Sequence, residues 1–253
     1  MRRVFAALML FAVITAPASA DDALSLYQAG KYEPALNAAV AQNNAAGLAL
    51  AARAALGEAL TQKPCLSCLQ RAEGFARKAI AADTHLPDGH VYLAVCLGYE
   101  ARIVGTVRAR LADYPEQSKS NLDAALASDP HNVLALMALG GWNIEIVHSG
   151  GATLANLLYG ATIAKGTKLF EAAFKAAPGN IVARYQFALG LGGVDAKAYH
   201  SEIGDALNRA SNGTAMTAYE TFIQGRVREL LAMFNKGDMA EFDRLVRRDQ
   251  GYP

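Results

Sequence analysis

The sequence lacks an excess of charge of either sign. Its 253 residues include 24 Lys and Arg and 23 Asp and Glu, which gives a net charge of +1 at neutral pH. A nearly neutral chain has no long-range attraction for nucleic acid or for an anionic membrane surface. Neither is therefore the expected partner.

Cysteine is also scarce. The chain has three cysteines, and Cys65 and Cys68 form a single CxxC motif. Three thiolates cannot build a four-thiolate zinc site, Leu69 stands where haem attachment requires His, and the strand-helix-strand context of thiol oxidoreductases is missing. The favoured interpretation is a structural disulfide, either between Cys65 and Cys68 or between one of them and Cys96. Unpaired thiols and a redox-active CxxC are the alternatives, and any pairing leaves one cysteine over.

The patterns of metal sites and common catalytic sites are missing as well. Glu145 and His148 form one Glu-x-x-His pair, where a di-iron bundle needs two. His85 and His90 lie near acidic residues, but across a turn and without repeated ligand spacing. There is no nucleophile elbow and no phosphate-binding glycine loop. The sequence therefore predicts no metal, no cofactor and no enzymatic activity.

No alternation of apolar and polar residues is long enough to build a sheet, whereas helical spacing recurs along the chain. In the stretch 118–145, Leu122, Ala125 and Leu126 share one helix face. Pro130 lacks an N–H and restricts the residue before it, so the first helix must end there and a second can begin. The stretch predicts two helices joined by a tight turn.

The junction at Pro130 is repeated elsewhere in the chain. Residues 173–180 repeat the pattern of residues 125–132, and a weaker copy occupies residues 79–84. The copies begin 46 and 48 residues apart, a period in the range of helical repeat proteins.

The first 20 residues have the layout of a secretory signal peptide. Arg2 and Arg3 precede an apolar run over residues 4–14, and Ala18-Ser19-Ala20 is a small-residue cleavage site. We expect cleavage after Ala20 and export, most simply to the periplasm; an uncleaved membrane anchor is the alternative. No later segment is predicted to span a membrane.

Several short patterns resemble the tetratricopeptide repeat. Gly30, Tyr32 and Ala35 stand at that family's spacing, and a large residue next to a small one recurs as Leu93-Ala94, Leu139-Gly140 and Phe187-Ala188. The resemblance implies an all-α fold of antiparallel helical hairpins stacked as a right-handed superhelix. It implies one domain over residues 21–253, with closing helices at about 214–249, although the period exceeds the family's 34 residues.

In the tetratricopeptide arrangement, the first helix of each hairpin lines a concave groove. The resemblance therefore implies that this groove, where a partner would bind, is lined by Tyr92, Val95, Tyr99, Met137, Glu145, Tyr185 and Gln186. Aromatic and Met side chains beside a few polar groups suit a peptide or a small ligand. Alternatively, some of these residues pack between neighbouring hairpins. Trp142 is interpreted as a core residue.

The sequence thus favours an exported, non-catalytic adaptor that binds a protein or peptide. The long repeats, the glycine-rich stretch 149–160 and the export signal are also similar to the tetratricopeptide-type accessory components of TRAP solute transporters, which implies a role in solute passage or delivery. An enzyme that uses Cys65 and Cys68 is the least favoured hypothesis.

Overall fold

The computed structural model describes residues 20–252, and the predicted signal peptide lies almost entirely outside them. Over that range the chain forms fourteen α-helices and no strand, which confirms the all-α prediction. The helices are α1 Ala20–Gln28, α2 Tyr32–Ala41, α3 Ala45–Thr61, α4 Leu66–Ala82, α5 Pro87–Val104, α6 Thr106–Leu111, α7 Tyr114–Ser128, α8 Val133–Gly150, α9 Ala152–Tyr159, α10 Ile163–Ala176, α11 Ile181–Asp195, α12 His200–Ser211, α13 Ala218–Lys236 and α14 Met239–Gln250.

The helices pack in chain order as two layers. Helices α3, α5, α8 and α11 each contact the next, and α4, α7, α10 and α12 pack against them. Helix α13 contacts α11 and also reaches α3. At that end, a Cβ on Gly30 would lie 2.8 Å from the Cβ of Ala218. The last part of the chain therefore touches the first.

The repeated sequence ends in an asparagine that caps a helix. The Asn132 side chain accepts a hydrogen bond from the Ala135 N–H at 2.9 Å, and Asn180 accepts one from Ala183 at the same distance. A capping side chain satisfies one of the N–H groups that a helix start leaves unpaired. The two copies thus specify the starts of α8 and α11 in the same way.

Close approach of α8 and α10 depends on glycine. A Cβ on Gly140 would lie 2.8 Å from the Phe170 ring, and one on Gly166 would lie 2.8 Å from the Gly140 carbonyl oxygen. Side chains at these two positions would force the helices apart. At Leu139-Gly140, the small residue therefore allows the close helix packing that the sequence pattern predicted.

Two short helices lie between successive copies of the repeated sequence. Helix α6 follows Gly105 and α9 follows Gly151, both with positive φ. Helix α9 shows that the glycine-rich stretch is partly helical. Both helices carry exposed aliphatic side chains, namely Val107, Leu111, Leu154, Leu157 and Leu158. Within residues 20–252, no helix combines the length and apolar character that crossing a membrane requires.

Candidate ligand-binding cavity

A cavity of about 260 Å³ lies between the inner helices. Side chains from α1, α3, α5, α7, α8 and α11 line it, together with the start of α13. Its apolar lining includes Leu56, Leu60, Val91, Val95, Leu134, Met137, Val182 and Trp142. A concave site with mostly apolar walls and a few polar groups is typical of ligand-binding sites in proteins.

Six of the seven residues assigned to the groove from sequence line this cavity: Tyr92, Val95, Tyr99, Met137, Glu145 and Gln186. Tyr185 lies outside it. Its ring is 3% exposed and faces the region of Ile223 and Asp249, and burial raises its pKa well above the ordinary value. Successive residues on a helix point about 100° apart, so Tyr185 is turned away from this cavity, whereas Gln186 lines both the cavity and the space that Tyr185 faces.

Arg53 is a cavity residue that the sequence interpretation missed. It lies in α3, a helix of mostly Ala and Leu, and its guanidinium lies 4.3 Å from the centroid of the Tyr27 ring. Among the described residues no carboxylate forms an ion pair with it. A lone arginine in an alanine-rich helix is the signal that could have identified it. Arg is seldom buried unless its charge has a partner, so an Arg among buried alanines indicates a binding or structural role.

Tyr92 lies on the neighbouring helix α5 and lines the same cavity. Its side chain is 5% exposed, and its hydroxyl has no hydrogen-bond partner within the described part of the chain. Burial raises the pKa of Tyr92 above the ordinary value, while nearby Arg53 opposes that shift. The neutral phenol therefore remains available as a hydrogen-bond donor at physiological pH.

Glu145, in contrast, is fully engaged. Arg102 donates to its Oε2 from Nη2 at 2.8 Å, Ser149 donates to Oε1 at 3.1 Å, and the Tyr252 hydroxyl also donates to Oε1. Burial by itself would raise the pKa of Glu145, but the Arg102 charge and these hydrogen bonds hold it at about 2. The carboxylate is thus a structural partner of α5 and of the C-terminal Tyr252.

A second cavity, of about 390 Å³, lies beyond this ion pair. The two cavities share part of their lining: Gly98, Arg102, Ser118, Trp142 and Glu145. Trp142 is 9% exposed and donates from Nε1 to the Pro115 carbonyl at 3.0 Å. The residue interpreted from sequence as core therefore also lines both cavities.

The cysteines do not lie at either cavity. Cys65 and Cys68 form a disulfide, so of the two pairings left open the structure has the local one. Cys96 is the remaining thiol, and burial, with Glu100 and Glu73 nearby, raises its pKa above the ordinary value. A buried thiol with a raised pKa carries little thiolate and is a poor nucleophile.

His90, one of the histidines considered as metal ligands, has other contacts. The ring nitrogens of His90 lie 2.7 Å from the Asn121 side-chain oxygen and 3.0 Å from the Thr84 carbonyl. Over residues 20–252, no three His, Cys, Asp or Glu side chains are grouped so that they could hold a metal ion.

In comparisons with known proteins, no family model and no curated protein sequence matches this chain.

Proposed function

We propose that the protein is an exported, non-catalytic binding protein, and that a short segment of a protein or peptide partner binds in the cavity between α3, α5, α8, α11 and α13. The observation that carries the proposal is the lining itself, in which Tyr92, Val95 and Met137 lie together on the cavity wall. Aromatic and Met side chains provide apolar contact area with adaptable shape. A cavity of about 260 Å³ accommodates a few side chains and not a folded domain.

Two glycines provide a matched test. Gly141 lines the cavity, and the nearest atom that a Cβ there would meet lies 4.0 Å away. Gly225 lies on the exposed side of α13 with open space around it. Both are inside helices, so Gly→Leu favours the helical state at either position by about 1 kcal/mol. Only Gly141→Leu places a side chain in the cavity.

The experiment is retention of a random octapeptide pool by the protein on an ultrafiltration membrane, quantified by mass spectrometry. The wild-type protein and Gly225→Leu are expected to retain a subset of peptides, and Gly141→Leu to retain about tenfold less, because lost apolar contact of this size costs about 1.4 kcal/mol or more. Equal retention by Gly141→Leu, or no retention by the wild-type protein, would overturn the proposal.

A second candidate function, passage or delivery of a solute, is favoured by the two adjoining cavities. They meet at Gly98, where a Cβ would find no atom within 4 Å. In cells whose own copy of the gene is deleted, a transport role predicts that solute uptake is restored by the wild-type gene and by Gly225→Leu. Gly98→Leu, which obstructs the junction, should fail to restore it. Equal solute uptake by cells with and without the gene would exclude this function.

A further inference from the structure

One wall of the cavity carries a positive charge without an ion-pair partner. Arg53 lines the cavity and stacks on Tyr27, and no carboxylate of residues 20–252 forms an ion pair with its guanidinium. Asp88, on α5, interacts with Arg53 electrostatically but from a greater distance, and it is not part of the lining. Arg53 also interacts with the Tyr27 side chain as a hydrogen-bond donor, but a guanidinium has several N–H donors, and one such contact leaves others available.

The other charged groups on the lining already have partners within the protein. Arg102 and Glu145 pair with each other. Glu220 accepts hydrogen bonds from the backbone N–H groups of Met216 and Thr217 at the start of α13. Of the two arginines that line this cavity in the described structure, Arg102 is held in an ion pair and Arg53 is not.

The Tyr92 hydroxyl gives a second, independent observation. Tyr92 is only 5% exposed, and its hydroxyl has no hydrogen-bond partner among residues 20–252. Leaving a buried hydroxyl unpaired is unfavourable, because the group has given up its hydrogen bonds to water. Arg53 and Tyr92 lie on the packed helices α3 and α5 and interact electrostatically. A ligand oxygen at this place would meet a phenol donor and a guanidinium together.

We propose that Arg53 and Tyr92 bind the carboxylate of the ligand, and that the apolar body of the ligand lies against Leu56, Val95 and Met137. A guanidinium presents its N–H groups in a fork that matches two carboxylate oxygens, and a phenol adds a third donor. The proposal rests on the proposed function, because it names the group by which a ligand is held in that same cavity. The carboxylate is either the C-terminus of a peptide or that of a small monocarboxylic acid.

Paired probes that differ at one group test the proposal. Two N-acetylated octapeptide pools are compared, one with free C-terminal carboxylates and one with C-terminal amides. 4-Phenylbutyrate and 4-phenylbutyramide form the corresponding small-molecule pair. The wild-type protein is expected to bind the acid of at least one pair about tenfold more tightly than the amide, since hydrogen bonds to a charged group are stronger than hydrogen bonds to a neutral one.

Three variants separate a recognition role from a structural one. Arg53→Met should reduce the preference for acid over amide to about unity, while the amide binds as before. Tyr92→Phe should reduce the preference for the acid severalfold. Lys63→Met removes an equal charge at an exposed position and should leave the preference unchanged. The readout is the ratio of acid affinity to amide affinity, measured on the same protein. Amide binding shows that each variant is folded, so a destabilised variant does not mimic the expected result.

The outcomes also separate this proposal from the proposed function. Preference for the acid pool identifies a peptide C-terminus, and preference for phenylbutyrate alone identifies a free carboxylic acid. Equal binding of acids and amides that Gly141→Leu abolishes would overturn the carboxylate proposal and leave the proposed function standing. Absence of binding by every probe would overturn both.

Discussion

Arg102 on α5 and Glu145 on α8 form an ion pair with an N–O distance of 2.8 Å, and both residues line the two adjoining cavities. Their side chains are 18% and 20% exposed, so the pair is largely removed from water. Glu145 was a predicted groove residue, but its carboxylate is held by Arg102. The pair thus joins two neighbouring inner helices at the site, so that Arg53 is the arginine of the lining without an ion-pair partner.

Removing one partner should be costly. Arg102→Met leaves the Glu145 carboxylate without its cation, and we expect a loss of about 3 kcal/mol in the free energy of unfolding, the low end for a buried pair because both side chains are partly exposed. The double variant Arg102→Met/Glu145→Leu removes both charges and should lose less than the sum of the single variants, by about 1 kcal/mol or more. Urea denaturation at neutral pH measures all four proteins. Strictly additive losses would show that the ion pair is not coupled energetically.

The same pair predicts how stability changes in acid. The folded-state pKa of Glu145, about 2, lies below the value of about 4.3 for an unperturbed Glu. The contribution of the ionised Glu145 to the free energy of unfolding is fully present above about pH 4.3 and is lost as the pH falls toward 2. In Glu145→Gln this part of the acid dependence, about 3 kcal/mol, should be missing. The test is urea unfolding at several pH values in this range; parallel curves for the two proteins would contradict the assignment.

Glu100 predicts the opposite dependence. It is 0% exposed, its carboxylate oxygens have no hydrogen-bond partner of ordinary geometry among residues 20–252, and burial, with Glu73 beside it, raises its pKa to about 7. Tyr114 also adjoins the group, and Arg77 is paired with Glu73. Because the folded state holds the proton more tightly than the unfolded state, Glu100 destabilises the protein as the pH rises from about 4.3 to 7.

We therefore expect Glu100→Gln to stabilise the protein at about pH 8, by an amount on the order of 3 kcal/mol, and to have almost no effect near pH 4. Thermal denaturation at the two pH values measures this difference. A stabilisation that is equal at both would show that the effect of the substitution does not come from titration of Glu100.

The cysteine arrangement predicts a simple labelling pattern. Without reductant the folded protein should take up no iodoacetamide, because Cys65 and Cys68 are joined and Cys96 is buried. Unfolding in denaturant should expose one thiol, and adding reductant as well should expose three. Mass spectrometry counts the adducts. Rapid labelling of Cys96 in the folded protein would contradict its burial.

Much of the fold follows from local sequence, whereas part of the site does not. Pro130 and the repeated Asn132 and Asn180 fix where helices end and begin, so the helical hairpins could be predicted. Arg53 could not be placed, because its position against Tyr92 depends on how α3 packs on α5. Likewise, contact between α13 and α3 joins residues far apart in the chain. The spacing of apolar residues within one helix does not reveal contacts with a helix far away in the chain.

The most direct test of the cavity as the binding site uses Trp142, the single tryptophan of the chain, whose side chain lines the cavity. Its fluorescence is recorded while the peptides retained by the wild-type protein are added. We expect a saturable shift to shorter wavelength in the wild-type protein and in Gly225→Leu, and no shift in Gly141→Leu, because a ligand in the cavity excludes water from the indole. Binding detected by calorimetry with unchanged Trp142 emission would place the ligand elsewhere and contradict the account.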